Sequence, residues 1–218
     1  MKNIAIIPAR KGSKRLKNKN RLILGGRPLI EWTINFALKL KFVDDIIVST
    51  DDNLLKKKIA KYNKIKVFKR PTNLANDKSR TIDVIFHTIK KYEKNFNKIK
   101  TIILLQATSP YRSIKKIENG YKKYLRYKTQ KSIVSVSENK KKNFSFNSSL
   151  SKNLFPNGNF YIASKNFLKK NKSFIVNGRT LPLELKNNSL KIDIDTKQDF
   201  NFAKKIIYKK KNFKYNYA

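Results

Sequence analysis

Residues 4–20, "IAIIPARKGSKRLKNKN", join a β-branched run that stops at Pro8 to a loop dense in cations. Seven lysines and arginines fall between Arg10 and Arg21. An apolar run without polar alternation is what a strand buried on both faces requires, so 4–8 reads as a strand inside a parallel sheet. Four further short runs succeed it: "DIIVST" (45–50), "IKVF" (65–68), "TIILLQ" (101–106) and "SIVSVS" (132–137). Helical spacing predicts helices at about 28–40, 53–62, 79–94 and 113–127, with Pro28 at a first turn and Ile82, Ile85, Phe86 and Ile89 on one face. Strands alternating with helices of this length make βαβ units and a mostly parallel sheet.

After Glu138 the rhythm changes. Residues 138–157 are polar and read as a loop or loose hairpin. Shorter strands are expected at "NFYIA" (159–163), "SFIV" (173–176), "LPLEL" (181–185) and "LKIDID" (190–195). A last helix is expected at about 196–210, with Asp195 or Thr196 as its cap. There is no internal repeat and no linker long enough to divide the chain. The 218 residues are enough for one large domain with a substantial core.

The net charge of +38 is the usual footprint of a nucleic-acid-binding protein. Here the lysines are spread along the whole chain and accompany abundant asparagine and isoleucine, whose codons are also AT-rich. That pattern fits genome composition better than a nucleic-acid surface, and no binding motif interleaves aromatic with basic residues. No apolar run is long enough to span a membrane, and the N-terminus lacks a secretory pattern. The absence of cysteine excludes disulfides and thiolate metal sites. The expected location is the cytoplasm, with neither nucleic acid nor membrane as a partner.

Ligands of open parallel sheets bind beyond the carboxyl ends of the strands, so the segments just past each strand carry the most information. After the first strand, Gly12 and Ser13 allow a tight turn that presents backbone N–H groups. Arg10, Lys14 and Lys19 can reach a polyphosphate. The loop matches neither the Walker A pattern nor G-x-G-x-x-G, and a solvated basic loop fits the same residues. Gln106, in "QATSPYR", has an amide able to donate to and accept from a sugar or base edge; Arg112 reads as a cap for the next helix. In "DIDTKQDF", Asp193 and Asp195 alternate with Ile192 and Ile194 and so share one side of an extended segment. Paired carboxylates in so basic a chain suit Mg²⁺ bridging to phosphates, against an edge strand with solvent-facing aspartates. The loop "RPTNLANDKS" (70–79) comes after the third strand and is placed for ligand contacts. His87 and Trp32 read as packing residues.

In combination, "IIPARKGSKRLKNKN", "IIVSTDD", "RPTNLANDKS", "LLQATSPYR", "NGNFYI" and "KIDIDTKQDF" resemble, in order and over nearly the whole chain, the CMP-sialic acid synthetase family. These are the N-acylneuraminate cytidylyltransferases and relatives acting on legionaminic and pseudaminic acids. The resemblance implies a three-layer α/β nucleotidyltransferase fold over 1–218, with a short arm-like insertion at about 138–157. It implies that CTP and an acidic nine-carbon 2-keto sugar give CMP-sugar and pyrophosphate. Carried across by motif, Arg10, Lys19 and Asn20 hold the CTP phosphates, Arg70 and Ser79 contact the nucleotide, Gln106 binds the sugar, and Asp193 and Asp195 hold Mg²⁺. The family has glycine where this chain has Lys11, and often proline where it has Asn18. Its arm, which crosses to a second subunit in a homodimer, is longer than the segment here. Synthetases for the eight-carbon sugar acid of lipopolysaccharide carry a Gln-Gly-Asp-Glu-Pro type motif where this chain has "QATSP". Two alternatives are a basic nucleic-acid-binding protein and a family member that binds nucleotide without catalysis.

Overall fold

The computed structural model describes residues 1–127, 130–138, 154–187, 190 and 192–209. Its centre is a seven-stranded sheet in the order β5-β4-β1-β6-β8-β7-β9. The strands are β1 (Lys2–Pro8), β4 (Asp45–Thr50), β5 (Ile65–Lys69), β6 (Ile99–Leu104), β7 (Ser132–Glu138), β8 (Leu154–Ser164) and β9 (Thr180–Glu184). A small hairpin of β2 (Ile23–Leu24) and β3 (Arg27–Pro28) stands apart. All neighbours in the sheet pair parallel except β8, which is antiparallel to both β6 and β7.

Helices cover both faces. Ala5 and Ile7 of β1 point into a core shared with α1 (Leu29–Leu38), α2 (Asn53–Ile59), α4 (Ile114–Arg126) and α6 (Lys197–Lys209). Ile4 and Ile6 point the other way, into a core with α3 (Thr81–Asn95) and α5 (Lys165–Asn171). This two-sided burial is why the strands read as continuous apolar runs, and it gives the expected α/β three-layer architecture. Among the described residues no helix is long and apolar enough to cross a membrane.

Several expectations need correction. "SFIV" forms no strand: α5 ends at Lys172 in a left-handed conformation (φ 51°), and Phe174, Ile175 and Val176 pack their side chains from an irregular segment. The described residues of "LKIDID", 190 and 192–195, join no ladder either, although Ile192 and Ile194 are buried as the alternation requires. Ile194 N–H donates instead to Thr108 C=O at 2.8 Å, so this extended stretch leans on a loop. The 138–157 segment is strand at both described ends, with Glu138 paired to Leu154; 139–153, most of the expected arm, lies outside the described residues. Helix α6 starts with a capping box in which Thr196 and Asp199 each bond the other's backbone N–H. Arg112 is not a helix cap; Ser113 caps α4. Trp32 is buried and donates to Leu24 C=O.

Candidate active site

Beyond the carboxyl ends of β1, β5 and β6 lies a cleft of about 270 Å³. It is lined by eight of the residues singled out in the sequence: Arg10, Lys19, Asn20, Arg70, Ser79, Gln106, Asp193 and Asp195. Gly12, Ser13 and Lys14 line an adjoining shallow recess that shares Arg10, Asn76 and Asp77 with it. A larger hollow of about 720 Å³ opens around Lys100, Lys131 and Lys165, at the amino ends of the parallel strands. None of the singled-out residues reaches it, and parallel sheets bind their ligands at the other end.

One wall of the cleft is the loop 10–21. Its N–H groups at Gly12, Ser13 and Lys14 have no partner among the described residues, whereas Lys11 N–H donates to Asp51 at 2.8 Å. Gly12 lacks the positive φ that a tight glycine turn would show, and a Cβ there would meet open space. The left-handed residue in this loop is Asn18 (φ 54°), a residue type that tolerates the conformation. Lys11 is spared the strain that replacing a left-handed glycine would bring.

Arg10 and Lys14 both pair with Asp77 of the 70–79 loop, at 2.5 and 3.1 Å. Those two cations hold the exposed Asp77 carboxyl below its ordinary range. Arg70 is nearly buried beside β4; it donates to Ser49 C=O at 2.7 Å, and burial lowers it to about 10. Ser79 is turned into its own loop and donates to Asn73 C=O and the Asn76 side chain. Asn20 donates to Arg10 C=O at 3.0 Å and leaves a buried Oδ1 without a partner. That atom is an acceptor and suits a hydroxyl or amino group of a nucleotide, while the amide nitrogen keeps a second N–H that a phosphate could take.

The facing wall carries Gln106, two residues past β6, and the aspartates. Gly158 of β8 adopts φ 75°, and a Cβ there would come within 2.6 Å of Gln106 Oε1. Only glycine lets the strand pass so close to the amide. Asp195 is gripped by Lys19 at 2.7 Å and Arg15 at 2.5 Å. Burial pushes its carboxyl up, but the Lys19 hydrogen bond and the two positive charges outweigh that and hold it low. Asp193 shifts the opposite way: burial raises it, assisted by the charge of Asp195 and only partly opposed by a Thr108 hydrogen bond. Its Oδ1 is sealed from solvent with no hydrogen-bond partner among the described residues. The repulsion expected between the carboxylates is thus relieved in part by Lys19 and Arg15.

Sequence reading did not single out Arg15, Asp77 or Thr108 for the site. It also passed over a second hollow of about 310 Å³ that shares Gln106 and Thr81 with the cleft. Tyr161, Phe174, Ile175 and Ile82 give that hollow apolar walls; Arg80 and Lys172 add positive charge.

A cationic cleft past the ends of parallel strands, lined by two aspartates and adjoined by a recess with unpartnered N–H groups, has the donors and charges that nucleoside phosphates require. Comparison with known proteins narrows this. A family model described as cytidylyltransferase matches residues 4–217, and the chain belongs to that family. It is 34% identical to a CMP-N,N'-diacetyllegionaminic acid synthase of Legionella pneumophila, over 95% of this chain and 97% of that one. It is 31% identical to a pseudaminic acid cytidylyltransferase of Campylobacter jejuni, over 96% and 97% of the two chains. An N-acylneuraminate cytidylyltransferase of Escherichia coli is 32% identical over 96% of this chain, which spans about half (53%) of that protein. Among solved structures, a CMP:2-keto-3-deoxy-manno-octonic acid synthetase complexed with CTP superposes with a TM-score of 0.72. That match covers 96% of this chain and 100% of the other at 18% identity, a likeness of fold.

Proposed function

We propose that the protein transfers the cytidylyl group of CTP to an acidic nine-carbon 2-keto sugar in the cytoplasm. The observation that carries this is the meeting, in one cleft, of Arg10 and Lys19 from the 10–21 loop, Arg70 from the 70–79 loop, and Asp193 and Asp195 from near the C-terminus. The sugar's anomeric oxygen forms a bond to the α-phosphorus, the bond from that phosphorus to the bridging oxygen breaks, and pyrophosphate leaves. The hydroxyl proton passes to water, since no general base is assigned. The protein's part is to position the reactants and offset charge.

Arg10, Lys14, Lys19 and the N–H groups of 12–14 bind the phosphates, each charge-assisted bond contributing on the order of 1.5–3 kcal/mol. Arg70 and Ser79 hold the nucleoside side, and Asn20 Oδ1 accepts from the ribose or base. The second hollow receives the sugar: its apolar wall takes an acyl group, Arg80 and Lys172 offset the carboxylate, and Gln106 at the junction orients the reacting end.

Asp193 and Asp195 fit a hard cation, with the unpartnered Asp193 Oδ1 as the clearest donor. Among the described residues no group of three or more candidate protein ligands exists. That suits Mg²⁺, which commonly takes one or two carboxylates and completes its shell with phosphates and water. When bound, Mg²⁺ lowers the charge cost of bringing an anionic sugar to a triphosphate. A homodimer is the assembly the family resemblance suggests, set against an arm shorter than the family's, and sedimentation decides between dimer and monomer. The deciding experiment is pyrophosphate release from CTP with a panel of sialic, legionaminic and pseudaminic acids, with and without Mg²⁺. CMP-sugar formed with at least one acid is expected; none across the panel would sink the reading.

A further inference from the structure

Arg112 is among the largest fully buried side chains of the protein, at 1% exposure, and no ion pair among the described residues involves it. Burying an unpaired charge is costly unless its N–H groups are met. Here they are met by uncharged acceptors. Nε donates to Asn159 C=O at 2.8 Å and Nη1 to Thr33 Oγ1 at 2.8 Å and to Ser109 C=O. Nη2 donates to Gln106 C=O at 2.5 Å, and the guanidinium stands over the Phe36 ring. The segment 106–112 therefore curls around its own arginine.

The partners of Arg112 are joined to both sides of the reaction. Gln106 borders the cleft and the second hollow. Thr108, inside the curl, accepts the Ile194 N–H at 2.8 Å, and Ile194 separates Asp193 from Asp195. Asn159 closes the loop from β8: its amide donates to Tyr111 C=O at 2.7 Å and to Leu190 C=O at 3.1 Å, just ahead of the aspartates. One rigid fork of donors spans all of these, and a lysine's single ammonium could not.

Resting on the transferase reading above, we propose that Arg112 is the positioning residue of this site. It fixes Gln106 on the sugar side and, through Thr108, the Asp193–Asp195 segment on the phosphate side, at one separation. It touches neither substrate. Arg10 and Arg70 of the CTP wall bond neither it nor the segment it fixes, and Lys19 meets that segment only through its ammonium at Asp195 and Ile194 C=O, so the loss of Arg112 strikes turnover more than nucleotide affinity.

The test is Arg112→Lys in the full chain. Turnover should fall roughly 100-fold, the usual result of a misplacement near 1 Å. The calorimetric Kd for CTP should stay within about threefold of wild type. Amide exchange at Ser109 and Ile194 should quicken roughly tenfold while β1 amides such as Ile6 keep their rates. Equal losses of turnover and CTP affinity, near-normal turnover, or exchange rising uniformly through β1 would each overturn the proposal.

If Arg112→Lys does not fold, Thr33→Val decides. It removes one acceptor from a helix that does not line the cleft, and should lower turnover severalfold at unchanged CTP Kd; unchanged turnover defeats the idea. Should wild type convert no sugar in the panel, the transferase reading fails on its own. Exchange at Ser109 and Ile194 still judges the positioning role.

Discussion

The wall built from residues 10–21 and 70–79 carries ion pairs open to water, whereas the core of the opposite wall, 106–112 and 157–159, stands on hydrogen bonds closed to it. On the first, Arg10 and Lys14 hold Asp77 across solvent, and Lys14 is 85% exposed. On the second, Arg112, Asn159 and Ser109 exchange bonds with side chains and carbonyls that are almost wholly buried. Exposed pairs are screened and worth little in the resting protein, so they can trade partners when a polyphosphate arrives. Buried networks are costly to disturb and hold geometry. In the transferase reading proposed above, substrate capture falls to the first wall and alignment to the second.

The comparison breaks first at Asp193. Asp193→Asn should cut turnover by about 10²–10³, the scale of losing a main charge-stabilising group. The same change should raise Tm at pH 7. Burial lifts the folded pKa above the unfolded value. The folded state therefore holds the proton longer, and stability falls as pH rises from the unfolded to the folded pKa. The asparagine escapes that penalty above the window and gains nothing below it. A variant that loses turnover but shows no rise in Tm at pH 7 would mean Asp193 is better compensated than its surroundings indicate.

Arg70→Met comes next, with the KM for CTP rising roughly 10- to 100-fold as a charge-assisted contact disappears. A fall in kcat at constant KM would move Arg70 to the alignment side. Gly158→Ala forces a side chain into a left-handed position against Gln106; a stability loss of about 1–3 kcal/mol and a turnover drop of roughly tenfold are expected at unchanged CTP affinity. The smallest effect is at Asp77. Asp77→Asn frees Arg10 and Lys14, so CTP should bind a few times tighter in low salt, an advantage lost near about 0.5 M. Weaker binding instead would make Asp77 an orienting residue for Arg10.

How much the sequence disclosed depends on how strongly each segment is constrained. β1, β4, β6 and β7 are buried on both faces, and their apolar runs carry that requirement in plain composition. The alternation of Ile192 and Ile194 with two aspartates correctly told which side chains turn inward. It misled about the ladder, because an extended chain resting on Thr108 has the same period as a strand. Helix α5 has seven residues and two buried apolar side chains, too few to show a period. The β2–β3 hairpin did leave a signal in Gly25–Gly26, both at positive φ, of the kind that marks a two-residue turn. The ion pairs of Asp77 and Asp195 left no pattern, since partners such as Arg15 and Asp195 stand 180 positions apart.

The reversed direction of β8 has a consequence for what stands at the mouth of the cleft. A parallel neighbour of β7 would have to return beneath the sheet through a crossover. β8 instead runs antiparallel to β7, so Glu138 and Leu154 face each other at the carboxyl end of the parallel strands. Pairing therefore pins Glu138 and Leu154 at the carboxyl edge of the sheet, and a substitution at either acts at the mouth of the cleft rather than at the far end of the strands.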